Sequence, residues 1–150
     1  LRPESTGHLE LRSANPSDHP AIHPSYLATT TDCDTIVAGI KVARTVCATE
    51  PVKSLIIDEH SPGPSVGAGD NEAILSWARN TATTIYHPTG TCKMGSDKMA
   101  VVNDRLQVYG IEGLRVADAS IMPTITSGNT NAPAIMIGEK ASEMVLKEAV

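Results

Sequence analysis

Tyr86-His87-Pro88-Thr89-Gly90-Thr91-Cys92-Lys93-Met94-Gly95 is the stretch that decides how this chain is read. Just before it, Thr83-Thr84-Ile85-Tyr86 is β-branched and aromatic, which predicts a strand running into His87. Proline and glycine then punctuate a loop. A histidine at the end of rigid backbone and facing a cleft suits a general base. The same histidine would equally serve a structural purpose, bonded to a loop carbonyl. His8, His19, His23 and His60 sit in or beside polar turn sequence, and only the structural reading applies to them.

A second concentration lies downstream. Val116-Ala117-Asp118-Ala119-Ser120-Ile121-Met122-Pro123 reads as a strand end entering a loop, and Thr126-Ser127-Gly128-Asn129-Thr130-Asn131-Ala132-Pro133 as a polar lead into a helix. Exposed amides at a helix start carry partial positive charge and suit an anionic ligand or a developing oxyanion. Asn129 and Asn131 can donate to the same place. Simple N-capping by Thr130 or Asn131 explains one of these residues but not the cluster.

Further out, Gly7–Ser13 alternates apolar and polar side chains, as a half-buried strand does, and Ala21-Ile22-His23-Pro24 reads as a short return strand. From about Asp32 to Ala48 the period becomes helical, with Ile36, Ile40, Ala43 and Cys47 on one face and Thr31, Asp32 and Asp34 as capping or first-turn groups. Ser54–Ile57 is a short apolar piece leading to a Pro/Gly loop at 61–64. Asp70 is a good N-cap for a second helix carrying Ile74, Leu75, Trp77 and Ala78. Strands are expected at Leu106–Tyr109 and Leu114–Ala117, with the turn at Gly110–Gly113. A last helix should run from about Asn131 to Lys147, with Pro133 tolerated in its first turn. Strands and helices mix without βαβ alternation, so the fold class is α+β. No GxGxxG follows a strand, so the chain does not read as a self-sufficient nucleotide-binding domain.

Composition excludes several classes. The 150 residues include 12 Lys and Arg against 17 Asp and Glu, a net charge of −5, with the basic residues scattered. No nucleic-acid footprint is present, and no apolar run approaches the roughly 20 residues of a membrane span. Cys33, Cys47 and Cys92 are too irregularly spaced for a disulfide framework or a zinc site, so no metal is expected. Reduced thiols packed as small apolar groups fit a cytoplasmic setting. The start, Leu1-Arg2-Pro3-Glu4, reads as cut from a longer chain.

Taken together, His87-Pro88-x-Gly90-Thr91-Cys92-x-Met94-Gly95, Leu114-Arg115-Val116-x-Asp118-Ala119-Ser120 and Ser127-Gly128-Asn129-Thr130-Asn131-Ala132-Pro133 resemble the C-terminal signature of the glucose–methanol–choline (GMC) oxidoreductases. Ile137-Gly138-Glu139-Lys140-Ala141 matches as well. So do the opening Leu1-Arg2-Pro3-x-Ser5-x-Gly7 and the run Asp18-x-Pro20-x-Ile22-x-Pro24-x-Tyr26-Leu27. The resemblance extends over nearly the whole chain, in order, on the alcohol and choline dehydrogenase-like side of the family.

That resemblance implies an FAD-dependent oxidation of an alcohol to an aldehyde or ketone. It implies His87 as the base that takes the hydroxyl proton, and Asn129, at a position held by His or Asn in the family, as the group orienting the substrate oxygen. Asn131 is expected at the flavin pyrimidine edge, Asp118 and Ala119 near the ribityl–pyrophosphate part, and Tyr86, Asn129 and Thr130 as further cofactor neighbours. Residues to about 105 are expected in the substrate domain, an antiparallel sheet backed by helices. Residues from about 106 to 150 return to the FAD domain as its last strand and helix. The dinucleotide-binding N-terminal half is absent, so FAD binding by this piece alone is expected to be weak or nil. The expected partners are the remainder of the same polypeptide and a small alcohol. A non-catalytic binding or assembly domain of the same ancestry, or a flavin-containing lyase, are the alternatives.

Overall fold

A computed structural model describes residues 2–148, so Leu1 of the opening motif lies outside the described residues. The elements follow in the order β1 (His8–Glu10), β2 (Ala21–His23), α1 (Thr30–Cys47), α2 (Asn71–Thr81) and α3 (Asn131–Glu148), with single 3₁₀ turns at Lys53–Leu55 and Ala119–Ile121. The chain is α+β, and its sheet is small: β1 and β2 form a two-stranded pair. Among the described residues no helix is long and apolar enough to cross a membrane.

The chain divides into two compact units. One holds residues 3–7 and 22–83 and is built on α1 packed against α2. Thr29 caps α1 by accepting from the Asp32 amide, two residues before Thr31, and Asp32 is a first-turn group. The α1 stripe that reaches the core is Cys33 and Val37, whereas Cys47 and Ala43 of the expected face are exposed. Further along this stripe, at helical spacing, stands Arg44 rather than an apolar group. Its Nε and one terminal nitrogen donate to the two carboxylate oxygens of Glu59 at 2.7 and 2.9 Å, and that nitrogen also donates to the Val66 carbonyl. The Arg44 guanidinium holds the Glu59 carboxyl below the usual carboxylate range. This fork–fork pair ties the irregular 59–66 segment back to α1. On α2, Asp70 caps by accepting from the Ala73 amide, and Ile74 and Ala78 are fully buried.

The second unit holds Arg2, 8–21 and 84–148 of the described residues. Its core is Val102, Leu106, Ile121, Met122, Ile137 and Ala141, with Met94, Val108, Val116 and Met144 packed at its edge. Two expected strands do not form as such. Instead of ladders at 106–109 and 114–117 there are isolated bridges, Val102 with Val108 and Gln107 with Arg115. The Asn103 side-chain oxygen accepts from the Arg105 and Gln107 amides, and Leu106 takes a left-handed φ of 65°. Local side-chain bonds thus compete for amides that a ladder would use. The expected turn between them does form, with Gly110 and Gly113 both at positive φ. α3 begins and ends close to its expected limits, and Glu148 near its end pairs with Arg115.

Candidate functional site

The segment before His87 is not a strand either. The Tyr86 amide donates to the Thr84 hydroxyl at 3.0 Å, and Tyr86 takes a left-handed φ of 65°. A non-glycine residue in that region is uncommon and is held there by its surroundings. The kink turns the Tyr86 ring to solvent, where it is 79% exposed, and delivers His87 to a half-buried position. His87 is thus placed by a sharp bend rather than by a strand end.

Behind His87 the loop is pinned to the segment that follows Asp118. The Cys92 amide donates to the Ser120 carbonyl at 3.0 Å and the Met94 amide to the Ile121 carbonyl at 2.7 Å. Gly90 makes this approach possible. Its φ is +83°, and a Cβ there would lie 3.2 Å from the Met122 carbonyl oxygen. Gly90→Ala therefore combines a left-handed strain with a crowded carbonyl and should cost about 1–2 kcal/mol, read as a lowered urea midpoint.

Asp118 ends the preceding segment and caps the 3₁₀ turn, its side chain accepting from the Ser120 amide at 2.7 Å. Hydrogen bonds from the Ser120 hydroxyl and then its amide hold the carboxyl below the usual carboxylate range. Asp118 is nonetheless exposed, while Ala119 is half-buried against the core. An ionised carboxylate has more acceptor sites than these two bonds use, so it can accept from a further hydroxyl or amide donor.

Two motifs 43 residues apart meet at the start of α3. His87 Nδ1 lies 2.9 Å from the Thr130 hydroxyl. Thr130 is only 7% exposed, whereas Asn129 and Asn131 on either side of it are exposed. The loop entering the helix is steadied by Arg2, whose Nε donates to the Ser127 hydroxyl at 2.7 Å. A ring nitrogen, two exposed amide side chains and the first-turn amides of α3 therefore occupy one neighbourhood. Such a set can accept a proton at the imidazole and stabilise negative charge at the helix start. Of the residues singled out in the sequence, His87 and Thr130 are in contact and Asn129 and Asn131 flank them. Tyr86 is turned to solvent, and Asp118 and Ala119 lie on the segment that anchors the 90–94 loop.

The direct His87–Thr130 bond is absent from the motif reading, where Thr130 figures as a cofactor neighbour. One signal for it was in the sequence: the residue three after Thr130 is Pro133, which has no N–H for a capping hydroxyl to accept.

Residues 3–138 match the family model for GMC oxidoreductases. The chain belongs to the GMC oxidoreductase family. Its match is to the family's C-terminal domain, as the ordered motifs imply. This GMC chain is 46% identical over 148 residues to an alcohol dehydrogenase [acceptor] of Pseudomonas putida, covering 99% of the chain and 26% of that protein. It is 46% identical over 147 residues to the mitochondrial choline dehydrogenase of Mus musculus, covering 97% and 24%. Among solved structures, an FAD-dependent oxidoreductase from Chaetomium thermophilum superposes with a TM-score of 0.90 at 29% identity, covering 99% of this chain and 26% of that one. The chain spans about a quarter of the length of these relatives.

Proposed function

We propose that this chain forms the substrate-side and C-terminal portion of an FAD-dependent alcohol oxidoreductase, with His87 as the general base. The observation that carries the reading is the meeting of His87 with the start of α3 at 2.9 Å. It gathers a base and a helix N-terminus in one place, which suits abstraction of a proton beside a hydride acceptor that gains negative charge. Relatives named as alcohol and choline dehydrogenases support the substrate class.

The residues present fit the isoalloxazine end of FAD. Asn129 and Asn131 are exposed polar side chains at a helix start whose first-turn amides lack intrahelical partners. Asn131 with the α3 N-terminus would face the pyrimidine edge, Thr130 lies between the two asparagines, and the exposed Asp118 carboxylate with Ala119 would lie toward the ribityl chain. Tyr86 would border the flavin from the bend before His87. When bound, FAD supplies the acceptor for the hydride that leaves the carbinol carbon.

In the chemistry, the Asn129 amide donates to the alcohol oxygen and fixes its orientation. His87 takes the hydroxyl proton at the ring nitrogen not engaged by Thr130. The electron pair of the broken O–H bond becomes the second C–O bond as the carbon–hydrogen pair departs. Proton and hydride leave to different places, and an aldehyde or ketone remains. Residues to about 105 would shape the substrate side, and 106–150 would complete the cofactor side. Nothing in this chain offers a Gly-rich phosphate loop, so the adenine half of FAD must be held by other sequence.

The test follows directly. The full-length protein should show a flavin absorbance spectrum that bleaches anaerobically on addition of an alcohol, and a full-length protein without flavin would sink the reading. The 150-residue piece alone should emerge from gel filtration with little or no flavin; stoichiometric retention would overturn that part.

A further inference from the structure

α1 and α2 end their N-termini in the same way. Thr29 accepts from the amide three residues on, and so does Asp70. Thr130 stands at the equivalent place in α3, since its carbonyl accepts from the Ala134 amide at 2.9 Å. Its hydroxyl has no such partner, because the residue three on is Pro133. A buried hydroxyl needs a partner, and the one it has is His87 Nδ1. Proline at the third helical position thus releases the capping side chain for another use.

We infer that Thr130 is a positioning residue for His87: it accepts a hydrogen bond from Nδ1–H and thereby holds the imidazole in the tautomer whose Nε2 lone pair can take the substrate proton. The inference rests on the reading of His87 as the base. Three features of the geometry support it. A neutral imidazole has one donor and one acceptor nitrogen, so whatever engages Nδ1 sets the state of Nε2. Thr130 is held rigidly, as the residue just before an 18-residue helix whose Ile137 and Ala141 are buried in the core; its carbonyl accepts the Ala134 amide of that helix. His87, by contrast, sits on a loop just after a strained residue, so its ring direction is set by this contact rather than by regular structure.

The test uses the flavin-loaded full-length protein with Thr130→Val and Thr130→Ser. Valine keeps the volume and removes the acceptor; serine keeps the hydroxyl. Thr130→Val should lower kcat about tenfold, with KM and flavin content unchanged, and Thr130→Ser should return kcat to within about twofold of wild type. With ¹⁵N-labelled histidine, the wild-type His87 should report a protonated Nδ1, and the valine variant should show a mixture of tautomers. An unchanged kcat in Thr130→Val overturns the inference. So does a loss that serine fails to restore, or a loss of flavin in place of a loss of kcat, which would make Thr130 a cofactor contact instead. His87→Ala in parallel separates the two levels: an active His87→Ala protein removes the base itself, whereas an inactive one beside a fully active Thr130→Val removes only the positioning role.

Discussion

Replacing His87 with alanine in the full-length protein should lower kcat for alcohol oxidation by about 10²–10⁴-fold while leaving the flavin bound and KM little changed. The size follows from what a positioned general base contributes to a proton transfer. The direction of the split follows from geometry. As the proposed base, the imidazole would meet the alcohol hydroxyl as its proton leaves, an interaction that strengthens in the transition state, so its loss should fall on kcat. Alanine also leaves the buried Thr130 hydroxyl without its partner, and that alone destabilises the protein by about 1–3 kcal/mol. His87→Gln separates the two effects. Glutamine can hydrogen-bond to Thr130 but cannot accept a proton near neutral pH, so it should restore stability and not rate. Added imidazole should recover part of the alanine variant's rate, because the space left is the size of the missing ring. Steady-state kinetics with and without imidazole check all three outcomes.

Ile137→Ala should destabilise the protein by about 3 kcal/mol, and Ile137→Val by about 1 kcal/mol. Ile137 is 5% exposed and lies in the cluster with Val102, Leu106, Ile121, Met122 and Ala141. Removing three carbons there forfeits transfer energy and leaves a cavity in a close-packed interior. The effect should reach the site, because Ile137 lies two turns below Thr130 on the same helix and pins its first residues against the core. A urea midpoint that moves equally little for both substitutions would show that α3 is not anchored through this residue.

Much of the fold was legible because period and capping are local. Asp70 as a cap, the α2 core residues Ile74 and Ala78, and the start of α3 at Asn131 all appear as read. The missed strands have one physical cause: short-range side-chain bonds that periodicity does not register. The Thr84 hydroxyl takes the Tyr86 amide and bends the chain where β-branched residues predict a strand. The Asn103 oxygen does the same before Leu106. On α1, the helical stripe continues into Arg44, whose worth depends on Glu59 and Val66, 15 and 22 residues away. At the site, the motifs named His87, Asn129 and Asn131 as a set. The contact between His87 and Thr130 spans 43 residues and is a property of the folded chain, foreshadowed in sequence by Pro133 alone.

The most direct measurement isolates the hydride step from everything that follows it. Full-length wild-type and His87→Gln proteins, both flavin-loaded, are mixed anaerobically with a saturating alcohol, and the flavin absorbance is followed in stopped flow. With His87 as the base, the wild type bleaches and yields one carbonyl product per flavin, and the glutamine variant bleaches at least about 100-fold more slowly with its flavin still in place. Bleaching of the variant at near wild-type rate would contradict the assignment of the proton to His87.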